Sequence, residues 1–454
     1  MPSHPFGLHL QVTQRSADEI VPLLNTNMRS MESSRALLVD ILAALFGLGS
    51  WMSVNGMYNE LPILVQAAPE GWSLPSYLSI IIQMANIGPL LYYFSKRNCP
   101  GFVKDSYVIA VILFLGALAM FHMAFNYDQT SSVFGAPHST SLMAGTFFIA
   151  LVGCTSSVLF FPFIGRFPET YLVSLLVGEG LSGFIPSGIA LIQGIGDKPE
   201  CKNVTQPDGS VAVFPELHPP RFSTQTYFLV IFSLMVVSLI SFLMLNNLPI
   251  CVKERKKRLV IDRLRDSPNP NTNRLSDDEF EGGKKAVILT PYSYGAMLLL
   301  QGVISFLANG SLPSLQSYSC LPYGYEVYHL CVTLVHIANP IACFMAYFVP
   351  HKSIRAISSL SAVLAVFVSY VITLAVLSPT PPLADEFVFC WIVCSGLIAY
   401  TKLSIAALFN DAGNKGLFWY GVSTQLGAAL GAASMFVLIN ILNLFKSNDI
   451  CAGA

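Results

Sequence analysis

The chain has 454 residues, 53% of them hydrophobic and only 11% charged, with a net charge of −1. Soluble domains average about 25% charged residues, so the composition excludes a soluble globular protein and implies a multi-pass membrane protein in a lipid bilayer. The near-neutral charge offers no basic face for nucleic acid, and ten scattered cysteines without a CxxC pair argue against a zinc or redox motif.

Residues 1–35 are mixed polar sequence without a cleavable leader, and are expected to form a disordered cytoplasmic tail. Within them, residues 19–24 (EIVPLL) have the form of an acidic dileucine sorting signal, a short pattern that also arises by chance. Eleven apolar runs follow, each near the roughly 20 residues a spanning helix needs. They lie near 36–57, 75–95, 106–126, 140–162, 169–192, 224–248, 289–310, 326–349, 354–377, 385–409 and 417–445. The predicted fold class is therefore an all-α polytopic membrane protein with eleven transmembrane helices.

Lys and Arg alternate by loop. Arg29, Arg35, Lys96, Arg97, Lys104, Arg166, Lys352, Arg355 and Lys415 fall on one side, together with the basic residues of loop 249–285. Loops 57–74, 127–139, 311–325 and 378–384 contain neither residue. The positive-inside rule then places the N-terminus in the cytoplasm and the C-terminus outside. Loop 193–223 is the exception in charge, but it carries the sequon Asn203-Val204-Thr205, expected to be glycosylated on the outside. The expected layout is a tail at 1–35, a first half at 36–248 with six spans, a cytoplasmic loop at 249–288, a second half at 289–445 with five spans, and an extracellular tail at 446–454. The polar centre of the 249–285 loop, SPNPNTNRLSDDEFEGG, predicts disorder.

The two halves are related. Asn55-Gly56 and Leu61-Pro62 return as Asn309-Gly310 and Leu312-Pro313; Ala85-Asn86 returns as Ala338-Asn339. Both copies run in the same direction across the membrane. Transporters build substrate sites between such repeats. Gly178, Gly180 and Gly183 in the fifth span, and Gly427 and Gly431 in the last, are expected to serve close helix packing rather than ligand contact.

Little in the sequence suits catalysis. His329 and His336 share one helix face but have no acidic partner at i+3 or i+4, so neither a metal site nor an enzyme is expected. No P-loop is present, and no cofactor is called for. What remains are amides and aromatics in or near the ends of spans one, two, seven and eight: Asn55, Gln83, Asn86, Gln301, Asn309 and Asn339, with Trp51, Tyr58, Phe306 and Tyr318 close by. An amide presents donor and acceptor side by side, which suits a heterocycle with adjacent C=O and N–H groups, and aromatic faces suit its flat body. The predicted substrate contacts are Asn55 and Asn309, supported by Gln83, Asn86, Asn339 and Phe306, with Trp51 or Tyr58 against the ring. Glu179 and His336 are the proton-sensitive candidates, as titratable groups inside the bundle.

Residues 47–90, GLGSWMSVNGMYNELPILVQAAPEGWSLPSYLSIIIQMANIGPL, closely resemble the riboflavin transporter family of vertebrate solute carriers. So do FFPFIGRF (160–167), GEGLSGFIPS (178–187) and LANGSLPSLQSYSCLPYG (307–324). The resemblance implies a six-plus-five arrangement related to the major facilitator and equilibrative nucleoside transporter architectures. It further implies sodium-independent uptake of riboflavin, stimulated by external acid in some members; a monomer in the plasma membrane is expected. The alternatives are a cell-surface receptor that binds a ligand without moving it, or a transporter of another planar heterocycle such as a nucleoside. A short connection should bring the outer ends of spans ten and eleven together and pair Cys390 with Cys451; Cys201–Cys320, or free thiols throughout, are the other outcomes.

Overall fold

A backbone in lipid must satisfy its polar groups within each segment, so an apolar chain of this length resolves into helices. The computed structural model describes residues 36–99, 101, 103–133, 135–168, 170–194, 200–205, 211–216, 219–265, 290–349, 353–380, 387–411 and 414–446. Ten helices among them are long and apolar enough to cross a membrane, and an eleventh span forms from two helices bent by 50°. The tail 1–35 and Cys451 lie outside the described residues.

Span 1 comprises Leu37–Leu48 and Met52–Asn59, continued by Leu61–Ala67. Spans 2 to 6 are Gly71–Asn98, Asp105–Asn126, Thr140–Ile164, Thr170–Gln193 and Thr224–Asn247. Span 7 is Pro291–Tyr323. Spans 8 to 11 are the helices Tyr325–Phe348, Ile354–Val376, Phe387–Asp411 and Asn414–Phe436. Two antiparallel strand pairs occupy connections: β1 (Ser131–Val133) with β2 (Ala136–His138), and β3 (Glu200–Thr205) with β4 (Val211–Glu216). The backbone of Asn203 lies in β3.

Three expectations are corrected. Spans 1 and 7 do not end near 57 and 310; both continue as helix to Ala67 and Tyr323. Pro62 and Pro313 sit in the first turn of the helices they open, where a missing N–H costs nothing and the fixed φ favours the helix. Cys320, expected in an outer loop, is accordingly buried within the bundle. The 249–285 loop begins as a helix, Pro249–Arg265. Its lysines, arginines and leucines are good helix formers. Glu254 anchors it, accepting from the Tyr171 hydroxyl at 3.2 Å and pairing with Lys257 at 2.7 Å.

Glycines let helices cross at contact distance. A Cβ on Gly178 of span 5 would overlap the Ala44 carbonyl of span 1, and one on Gly47 the Leu175 carbonyl. The second half repeats the device: Gly427 and Gly431 of span 11 meet the carbonyls of Gly302 and Phe306 in span 7. Polar pairs add to these crossings. Asn59 Nδ2 donates to Ser187 Oγ at 3.2 Å, and Thr224 Oγ1 to the buried Glu60 at 2.9 Å, tying span 1 to spans 5 and 6.

Candidate substrate site

The four spans that carry the predicted amides are each bent, broken or interrupted by a π-turn or a proline. Span 1 bends between Leu48 and Met52. Span 2 breaks at Ala85-Asn86, between helices Leu74–Met84 and Ile87–Asn98. Span 7 passes through a π-turn at Phe306–Ser311, and span 8 carries Pro340 inside its helix. Irregular backbone in a membrane is tolerated where protein or a polar cavity surrounds it, and discontinuous helices form the midplane sites of many transporters.

Three predicted amides meet there. Asn86 Nδ2 donates to Gln83 Oε1 at 3.1 Å, and Gln83 Nε2 donates to the backbone carbonyl of Asn309 at 3.4 Å. The Asn309 side chain accepts at Oδ1 from Lys402 Nζ, 3.3 Å away. Lys402, in span 10, does not figure in the sequence-based site. The signal was present: a single lysine inside an otherwise apolar span.

Asn55 has a different partner from Asn309. Its Nδ2 donates to the Ser182 carbonyl of span 5 at 3.3 Å. A Cβ on neighbouring Gly183 would lie 2.9 Å from the His336 carbonyl and 3.6 Å from Asn55 Nδ2, so spans 1, 5 and 8 converge here. The Tyr58 ring stands 6.4 Å from that of His336, and its hydroxyl shares a 3.3 Å hydrogen bond with Ser79. His336 Nδ1 bonds the Val332 carbonyl at 2.7 Å within its own helix. Asn339 is exposed and accepts from the Cys343 thiol at 3.6 Å. Trp51 turns the other way, its ring packed on Gly153 of span 4. Phe306 is half-buried in the π-turn. Glu179 lines a narrow crevice with Gly47, Ser50, Ser156 and Leu175, between spans 1, 4 and 5.

Hydrogen bonds and ring contacts between the halves gather at the end that carries Trp72. Ser314 Oγ donates to Ser79 Oγ at 3.3 Å, Asn440 Nδ2 to Ser76 Oγ at 2.6 Å, and Gln66 Nε2 to the Tyr325 hydroxyl at 3.4 Å. Trp72 packs edge-on against Tyr328, and Tyr77 against Phe436. Toward the opposite end the two stretches of span 2 part company. Helix Leu74–Met84 has six buried residues, whereas Ile87–Asn98, ending at Lys96 and Arg97, has none.

Glu70 organises the Trp72 end. It accepts from the Ser139 backbone N–H at 2.9 Å, from the Ser139 hydroxyl at 2.7 Å, and bonds His138 Nδ1 at 2.9 Å. Burial alone would raise its carboxyl pKa. The Ser139 and His138 hydrogen bonds outweigh burial and hold it below the usual carboxylate value. The carboxylate also faces the N-terminus of span 4, where the helix dipole favours negative charge.

Comparison with known proteins bears on both fold and family. Among solved structures, a proton-dependent oligopeptide transporter of the POT family aligns with a TM-score of 0.54 at 13% identity, over 92% of this chain and 93% of that one. The xylose transporter XylE from E. coli aligns at 0.52 and 12%, over 93% of each; at these identities the likeness is of fold alone. In sequence, a Danio rerio protein named solute carrier family 52, riboflavin transporter, member 3-A is 38% identical, over 91% of this chain and 98% of its own length. The Homo sapiens member 3 is 35% identical, over 92% and 98%. The family model for solute carrier family 52, riboflavin transporter, matches residues 35–447. With a match of that extent, the chain belongs to solute carrier family 52, the riboflavin transporters.

Proposed function

We propose that this chain carries riboflavin into cells across the plasma membrane by alternating access, without sodium and with stimulation by external acid. The observation that carries the reading is the meeting of Gln83, Asn86 and Asn309 at the breaks of spans 2 and 7, where one half touches the other. Asn55 and Asn309 bond the ligand, with Gln83, Asn86 and Asn339 in support and Tyr58 against the ring. Phe306 shapes the wall, and Trp51, turned onto Gly153, holds span 1 from behind. Glu179 and His336 are the groups through which acid acts.

The N-terminus is cytoplasmic in this reading, so the Trp72 end is external. The hydrogen bonds there close the outer end in this form. A monomer suffices, since both halves belong to one chain. Asn203 carries a glycan, and Cys390 pairs with Cys451 outside.

Radiolabelled riboflavin uptake in cells expressing the chain tests the reading, with competition by lumiflavin, FMN and nucleosides. Saturable uptake blocked by lumiflavin and insensitive to sodium removal is expected. Binding without accumulation would make the protein a receptor, and competition by nucleosides alone would change the substrate.

A further inference from the structure

We propose that Lys402 is a specificity-determining contact of the substrate site, donating together with Asn309 to two adjacent acceptor atoms on the edge of the flavin ring. The inference rests on the reading of riboflavin as substrate.

Lys402 lies nine residues from the C-terminal end of helix Phe387–Asp411, about 13 Å along its axis. Lysines near the end of a span usually direct the ammonium to the nearest water. This one reaches to the π-turn of span 7 instead, and its side chain is only half-buried there. Among the described residues, no carboxylate lies within ion-pair distance of it. An ammonium carries three N–H donors, and Asn309 Oδ1 takes one.

That single bond fixes what the site presents. With Oδ1 engaged by Lys402, the end of the Asn309 amide left for a ligand is its NH₂. The backbone carbonyl of the same residue is already taken by Gln83. Two donors, the ammonium and this NH₂, therefore stand on either side of an already engaged acceptor. An imide edge, which alternates acceptor, donor, acceptor, would ask a second bond of that oxygen. The N1/C2=O and C4=O/N5 pairs of an isoalloxazine, each two neighbouring acceptors, match the two donors well. A cation there also stabilises the electron density these atoms carry. Uracil in a nucleoside has no such pair of adjacent acceptors, so the same two donors would discriminate against uridine, though not against guanosine, whose O6 and N7 are neighbours.

The bland alternative is that Lys402 only pins Asn309 and touches no ligand. Purified full-length protein separates the two. Binding of riboflavin, 1-deazariboflavin and 5-deazariboflavin is measured for wild type, Lys402→Met and Lys402→Gln, the last keeping a neutral donor should the methionine variant fold poorly. One analogue should bind the wild type about five- to a hundredfold more weakly than riboflavin. In Lys402→Met riboflavin should weaken by a similar factor, and the penalty for that analogue should vanish, since its partner is gone; in Lys402→Gln, which keeps a shorter neutral donor, both effects should be smaller but present. An analogue penalty equal in wild type and variants, no penalty in wild type, or unchanged riboflavin affinity in the variants would overturn the inference. Failure of the wild type to bind riboflavin would instead overturn the substrate reading beneath it.

Discussion

Gln83 of the first half donates to the backbone carbonyl of Asn309 in the second, 3.4 Å away. Because the acceptor is backbone, Asn309→Ala leaves this link in place and removes only the amide turned toward Lys402 and the ligand. Losing one ligand hydrogen bond with its partner unpaired costs roughly 1–3 kcal/mol, about five- to a hundred-and-fifty-fold in affinity. Asn309→Ala and Asn55→Ala should weaken riboflavin binding by that order with surface expression retained. Binding to purified protein is the measurement; normal affinity in both variants would remove these residues from the site.

The hydroxyls of Ser79 and Ser314 lie 3.3 Å apart across the boundary between the halves. Cysteines at these positions stand close enough for a disulfide. Oxidised Ser79→Cys/Ser314→Cys protein should lose uptake, and a reducing agent should restore it, because the Trp72 end can no longer open. Full uptake by protein shown to be cross-linked would mean that this end does not move in the cycle.

Gly178 and Gly427 hold the same kind of crossing in the two halves. Overpacking at such a contact typically costs about 1–3 kcal/mol. Gly178→Ala and Gly427→Ala are each expected to lower thermal stability and surface expression, while the protein that survives binds ligand with near-normal affinity. A selective loss of affinity at normal expression would instead place these glycines in the site.

Glu70 has a depressed pKa in the folded protein, so its stabilising contribution is complete above the ordinary carboxylate value of 4.5 and is lost only as pH falls through its lower folded value. Between pH 7 and 5 it stays ionised. Glu70→Gln should therefore reduce thermal stability at neutral pH yet leave the slope of uptake against pH over that interval unchanged. A flattened slope would make Glu70 part of the acid response.

Much of this was legible in the chain. Spans announce themselves by hydropathy, and Gln83, Asn86 and Asn309 stood out as amides in apolar sequence. Lys402 did not, because one charge barely changes the mean hydropathy of a long apolar window and the charges counted for orientation were those of loops. Pro62 and Pro313 lie just beyond the expected span ends at 57 and 310, and a proline at a helix start and one beyond a helix end look alike until the next turn is seen. That Asn55 holds a span 5 carbonyl while Asn309 holds a lysine follows from tertiary packing; the repeated sequence makes the two look equivalent.

Helix Pro249–Arg265 stays fastened to span 5 through Glu254 and Tyr171, so the connection between the halves shortens to residues 266–289. That helix therefore moves with the first half as one piece, and the two halves meet at the crossings of spans 2 with 11 and 5 with 8.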